Sequence, residues 1–149
     1  MAGFYSYVPL LCKYLRVVQP KRILEWGTGE STKIMHQVCP NADIYSVEHN
    51  PEYVEEYRYL ANISPKIHLY HCPISNGYTS APLLIGGKYD FVFIDGLDTT
   101  RPECLNVAFD VLNEGAVVIL HDSERLEYRQ AIGRYKILEE NDGTVVLQK

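Results

Sequence analysis

The carboxylates of this sequence that could do chemistry stand directly after short apolar runs. ILEWGTGEST, residues 23–32, carries Glu25, then Gly27 and Gly29 flanking Thr28, then Ser31 and Thr32. DIYSVE ends on Glu48, with His49 next to it. YDFVFIDG places Asp95 after a hydrophobic run, and VILHDS places His121, Asp122 and Ser123 after another. A charged group that follows four apolar residues must reach an edge or find a partner, because burying it alone is costly.

Each cluster implies a different kind of binding. Glycines without Cβ atoms let a ligand touch the main chain. The helix beginning near Ser31 would attract a carboxylate or phosphate. A tight strand-to-helix turn accounts for the same two glycines. Glu25 would repel a pyrophosphate and pair with an ammonium group, and the third glycine of a dinucleotide fingerprint is replaced by Glu30-Ser31-Thr32. The ligand expected there carries a cation and a carboxylate close together, as an amino acid moiety does. Glu48, about twenty residues beyond the glycines, can accept two hydrogen bonds from a ribose diol. The other reading of Glu48 is a solvated acid at a helix start. His49 is expected as a surface or stacking residue. Asp95 and Asp122, with Ser123 or His121, could hold a hard cation such as magnesium. Alternatively, Asp122 or Ser123 caps the next helix, and His121 serves as a general base.

Positioning these groups falls to alternating elements. Apolar residues at Tyr7, Leu10, Leu11, Tyr14, Leu15 and Val18 predict an amphipathic helix over 5–18, stopped by Pro20. Strands are expected at 22–26, 43–48, 67–71, 89–94 and 116–120. Helices are expected at 31–38, 51–61, 101–112 and 123–132, the second opened by Asn50 and Pro51. Residues 74–88 read as loop with a short helix at 81–85. Asp142-Gly143 between runs at 135–139 and 144–147 predicts a hairpin. The order gives an α/β fold: a Rossmann-like, doubly wound, mostly parallel seven-stranded sheet with helices on both faces and a C-terminal antiparallel hairpin. Ligands bind such a sheet beyond the carboxyl ends of its strands.

With 149 residues the chain fits one domain, 1–149, with residues 1–20 as an N-terminal helical segment and 21–149 as the core. A net charge of −5 disfavours a nucleic-acid footprint. The four cysteines form no C-x-x-C pair and suit a reduced, cytoplasmic compartment. No stretch reads as a signal peptide or membrane span.

The ordered set ILEWGTGEST, IYSVEHNPEY, YDFVFIDG and GAVVILHDS resembles the class I S-adenosylmethionine-dependent methyltransferases, over nearly the whole chain from Lys21 onward. The pairing of FIDG with LHDS is most similar to the small catechol-methyltransferase-like branch. The resemblance implies that Glu25, Gly27, Thr28, Gly29, Ser31 and Thr32 take the methionine end of S-adenosylmethionine, and that Glu48 takes the ribose. It implies that residues 72–75, with Ile74 and Ser75, line the adenine beside His49, and that Asp95 faces the substrate. Where the acceptor must lose a proton, Asp95, His121 and Asp122 are the candidate catalytic bases. Some members of the branch use a metal held by acids after the fourth and fifth strands, which here would put magnesium on Asp95 and Asp122, with Ser123 beside them. After IDG, however, the branch's acid-histidine pattern is replaced by Leu97-Asp98-Thr99-Thr100. The function expected is methyl transfer to a small-molecule acceptor at oxygen. Two other readings stay open: a module that binds S-adenosylmethionine without transfer, and an NAD-dependent oxidoreductase. Tyr5, Tyr7 and Tyr14 are read as ordinary core and surface, with an aromatic rim or the contact of a homo-oligomer as the alternatives.

Overall fold

The structure is a computed structural model that describes residues 5–149; the first four residues of the expected N-terminal segment lie outside the described residues. Helix α1, Val8–Val18, ends where Gln19 takes a left-handed φ of 50° and donates its N–H to the Leu15 carbonyl. Pro20 cannot extend the helix. Strand β1, Arg22–Trp26, then leads to α2, Glu30–Val38, and β2, Asp43–Glu48. Asn50 caps α3, Pro51–Tyr57, by accepting from the Glu52 N–H. A tightened turn at Arg58, rather than the continuous helix expected to residue 61, separates α3 from α4, Tyr59–Ile63. There follow β3, Ile67–His71, α5, Ala81–Ile85, β4, Tyr89–Ile94, and α6, Arg101–Val111. Strand β5 spans Leu112–His121, short α7 Arg129–Ile132, β6 Lys136–Asn141 and β7 Thr144–Gln148.

The seven strands form one sheet in the order β3-β2-β1-β4-β5-β7-β6, parallel through β5 and antiparallel over β7 and β6. Side chains alternate across it, as the two-residue period of a strand requires. Ile23, Ile44, Phe91, Phe93, Val117 and Ile119 face α1 and α2 through Leu11, Leu15 and Met35. Leu24, Trp26, Val92, Ile94, Val118 and Leu120 face the other way, toward Leu105 and Ala108 of α6. The central strands are buried on both sides, so β4 reads as a run that is apolar except for Asp90 near its start. Each fully buried Ile, Leu or Phe contributes about 1.5–3 kcal/mol of transfer free energy.

Three local expectations are corrected. The strand expected at 116–120 begins earlier, at Leu112, and residues 113–115, left between that strand and the expected helix, form a bulge inside β5: pairing slips between Tyr89 and Phe91, and Gly115 takes a φ of 81°. The helix expected at 123–132 is reduced to a 3-10 turn, Leu126–Tyr128, and the four residues of α7. Ser123 does not cap it. Its hydroxyl and N–H both donate to the Gly143 carbonyl, tying the end of β5 to the hairpin turn. That turn forms as expected, with Asp142 and Gly143 at φ of 48° and 75°. Among the described residues no helix is long and apolar enough to cross a membrane.

Candidate active site

The site grows from the carboxyl ends of β2, β1, β4 and β5. Hydrogen bonding continues one step past β1: the Gly27 N–H donates to Val47 O at 2.9 Å, and the Asp95 N–H donates to Trp26 O at 3.0 Å. These bonds clamp three strand ends together. Gly27 has a φ of 99°, and a Cβ there would lie 2.6 Å from the Asp95 carbonyl oxygen. Close approach of β1 and β4 therefore demands this glycine. Gly29 is different. Its φ of 171° is ordinary extended backbone, and an added Cβ would meet nothing within 4 Å. The space over it belongs to a cleft of about 840 Å³, within the range of small-molecule sites.

Below the glycines lies a buried polar knot. Glu25 is fully buried and accepts hydrogen bonds from the hydroxyls of Ser31, Thr32 and Ser46. Thr32 Oγ1 in turn accepts from the Gly29 N–H at 3.1 Å. Burial pushes the Glu25 carboxyl up to about 7, against the lowering effect of its three hydroxyl donors. Glu25 thus fastens the first turn of α2 to β1 from inside.

Glu48 does face the cleft. It is 3% exposed. Its Oε1 accepts from the Thr28 N–H at 3.1 Å and its Oε2 from the Asn50 N–H at 2.8 Å. Each carboxylate oxygen has a further lone pair to offer a ligand. His49 lines the cleft beside it, edge-on to the ring of Tyr78 with centroids 5.5 Å apart.

At the opposite end stand Asp95, His121 and Asp122. Burial raises the Asp95 carboxyl to about 7; nearby Arg101 pulls it down and Asp122 pushes it up. His121 is buried against Tyr7, with ring centroids 5.2 Å apart at 70°. Burial pulls its imidazole below the usual range, so the ring is neutral at neutral pH. Asp122 occupies a left-handed φ of 53°, a conformation that Asp tolerates better than most residues. Its Oδ1 lies 3.9 Å from His121 Nε2.

The cleft therefore gathers Gly27, Thr28, Gly29, Ser31, Glu48, His49, Asp95, His121 and Asp122. Glu25 and Thr32 do not line it, because each is fully buried and committed to the knot beneath. Ile74 and Ser75, expected beside the adenine, are exposed and stand outside the lining. The magnesium site on Asp95, Asp122 and Ser123 is not assembled either. Ser123 is turned to Gly143, and Arg101 stands by both acids, with Nη2 3.4 Å from Asp95 Oδ1 and Nη1 4.0 Å from Asp122 Oδ2. Among the described residues no group of three or more His, Cys, Asp or Glu is disposed to hold a metal ion.

Sequence reasoning missed two features of the lining. Tyr53 and Tyr57, four apart on α3, both face the cleft; an aromatic pair at that spacing just after Glu48 is a readable signal. Arg101 was also overlooked, although a cation in the first turn of a helix opposes the helix dipole and so invites explanation. Of the three N-terminal tyrosines, Tyr5 and Tyr7 line the cleft, whereas Tyr14 donates to Glu139 elsewhere.

A family described as "Methyltransferase domain" matches residues 24–123. No curated protein matches the chain in sequence. Among solved structures, an O-methyltransferase from Bacillus cereus in complex with SAH is 15% identical, with a TM-score of 0.77 over 94% of this chain and 79% of that one. A cofactor-bound protein from MTB is 20% identical, with a TM-score of 0.79 over 99% and 81%. A precorrin-6y C5,15-methyltransferase from Geobacter metallireducens is 16% identical, with a TM-score of 0.73 over 93% and 84%. At these identities the likeness is one of fold.

Proposed function

Because this chain belongs to the methyltransferase-domain family, within the class I S-adenosylmethionine-dependent methyltransferases, we propose that it transfers a methyl group from S-adenosylmethionine to the oxygen of a small-molecule acceptor. One observation carries the reading. The open backbone over Gly29 and the carboxylate of Glu48 share a single cleft with Asp95, His121 and Asp122. Two binding features for a nucleoside-linked amino acid thus sit in one cavity with groups able to accept a proton.

In this reading the loop at Gly29 admits the amino acid tail against main-chain N–H groups and the N-terminus of α2. Glu48, held by the Thr28 and Asn50 N–H groups, accepts from the ribose hydroxyls. When bound, S-adenosylmethionine supplies an electrophilic methyl group on a sulfonium. The protein's task is then alignment of the acceptor oxygen and removal of its proton. Asp95 is the base, because burial brings its carboxyl close to neutral pH. His121, neutral against Tyr7, is the second proton acceptor within reach of the same space. Tyr5, Tyr53 and Tyr57 form the wall met by the acceptor. The four free cysteines accord with a reduced, cytoplasmic setting, and the described residues work as one catalytic domain.

Calorimetric titration with S-adenosylhomocysteine and, separately, with NAD tests this proposal. Binding of the former and not the latter is expected. A protein that ignores S-adenosylhomocysteine, or prefers NAD, defeats it.

A further inference from the structure

Arg101 is 6% exposed, and its guanidinium is surrounded on the side of the cleft where β4 and β5 end. Nε donates to the Gly96 carbonyl at 3.1 Å and Nη2 to the same oxygen at 2.8 Å. Nη1 donates to the His121 carbonyl at 2.7 Å. Nη2 also reaches Asp95 Oδ1 at 3.4 Å, and Nη1 lies 4.0 Å from Asp122 Oδ2. Gly96 follows β4 and His121 ends β5, two strands paired in parallel with Ile94 opposite Leu120. One side chain therefore ties two neighbouring strand ends and stands beside the acid that follows each.

Nothing local favours this residue. Arg101 opens α6, where the helix dipole disfavours a cation, and burying a guanidinium is costly unless its hydrogen bonds are satisfied. Departures from local preference of this kind concentrate at functional sites. A magnesium ion would require near-octahedral oxygen ligation with short bonds. Two carboxylates with an arginine beside them, and a serine hydroxyl turned away to Gly143, provide nothing of that kind.

We infer that Arg101 is the fixed cation of this site: its guanidinium does between Asp95 and Asp122 what a divalent ion would otherwise do, positioning both carboxylates and leaving the site independent of metal. That the reaction served is methyl transfer rests on the proposed function. The juxtaposition of Arg101 with the two acids does not. As a positioning residue, Arg101 acts through the acids. It leaves Asp95 free to take the acceptor's proton, which a carboxylate ligating a metal would do less readily.

The test uses the chelator-treated protein, magnesium chloride and S-adenosylhomocysteine, read by calorimetry and thermal melts. Wild type and Arg101→Lys, both of which carry the cation, are expected to show no heat and no change of melting temperature with magnesium. Arg101→Ala exposes two unpaired acids and is expected to gain magnesium binding, with a rise in melting temperature that Asp122→Asn in the same background removes. A role confined to packing would not create a metal site. Magnesium uptake by wild type that Asp122→Asn abolishes overturns the inference. So does a folded Arg101→Ala variant as blind to magnesium as wild type. If Arg101→Ala does not fold, the wild-type and Arg101→Lys titrations decide alone, and magnesium binding at Asp122 in either refutes the inference. Wild type that binds both S-adenosylhomocysteine and magnesium sinks this inference only. Wild type that binds neither sinks the proposed function and leaves Arg101 as inferred.

Discussion

The two glycines of the first loop should respond to the same substitution in opposite ways. At Gly27 an added methyl group would lie 2.6 Å from the Asp95 carbonyl oxygen, on a residue with a φ of 99°. Left-handed backbone costs an L-residue roughly 1–2 kcal/mol, and forcing a methyl group into filled space costs about 1–3 kcal/mol more. Gly27→Ala should therefore lose about 2–5 kcal/mol, a fall in melting temperature of roughly 4–20 °C for a chain of this size. At Gly29 the added methyl group meets no atom within 4 Å. Replacing an N-cap glycine by alanine costs about 0.5–1 kcal/mol, and reduced freedom of the unfolded chain returns about 0.4–1 kcal/mol. The two effects nearly cancel, so Gly29→Ala should melt with wild type. Its methyl group nevertheless projects into the space claimed for the ligand. An overpacking cost of about 1–3 kcal/mol, transferred to binding, weakens S-adenosylhomocysteine roughly 5- to 150-fold. Thermal melts and calorimetric titration of both variants check this. A folded Gly29→Ala that keeps wild-type affinity would reduce the loop to a simple turn. A Gly27→Ala that melts with wild type would refute the backbone argument.

Glu48→Gln should lose about 1–3 kcal/mol of stability, because an amide cannot accept at both ends from the Thr28 and Asn50 N–H groups; it should also bind S-adenosylhomocysteine more weakly, and unchanged melting and affinity would contradict the assignment. Glu25 titrates at about 7 in the folded protein against an ordinary 4.5, so between those values the folded state holds the extra proton and this group's contribution to stability falls as pH rises. Melting temperatures of wild type and Glu25→Gln from pH 5 to pH 8 should therefore move in favour of the variant, and a difference independent of pH would refute the assigned shift. Trp26→Phe removes the indole donor to the Tyr78 carbonyl, a 3.0 Å buried bond, and should cost about 1–3 kcal/mol by denaturant melts; a variant as stable as wild type would mean that carbonyl finds another donor.

Much of the scaffold was readable because its signals are local. Strands β1 to β4 lie where their apolar or alternating content predicts, and Asp142-Gly143 takes the two positive φ angles of a tight hairpin turn. What escaped is set by tertiary pairing. Gly115 falls between an expected helix and an expected strand, yet the bulge against β4 absorbs it into β5. Ser123 reads as a cap until Gly143, twenty positions along the chain, claims its hydroxyl. Among site residues, Glu48, Asp95, His121 and Asp122 were visible as polar groups that end apolar runs. Glu25 looked equivalent, but its strand position turns it into the interior, where Ser31, Thr32 and Ser46 surround it. No periodicity reveals that an arginine will fold back over two strand ends.

The register of the central strands, with Trp26 level with both Val47 and Ile94 and Ile94 level with Leu120, means that the cleft's floor is drawn by the sheet, while α3 and Leu97 furnish walls. Admission and anchorage are thereby entrusted to separate stretches of chain. Substitutions in those walls should therefore alter what the cleft admits while leaving its foundation intact.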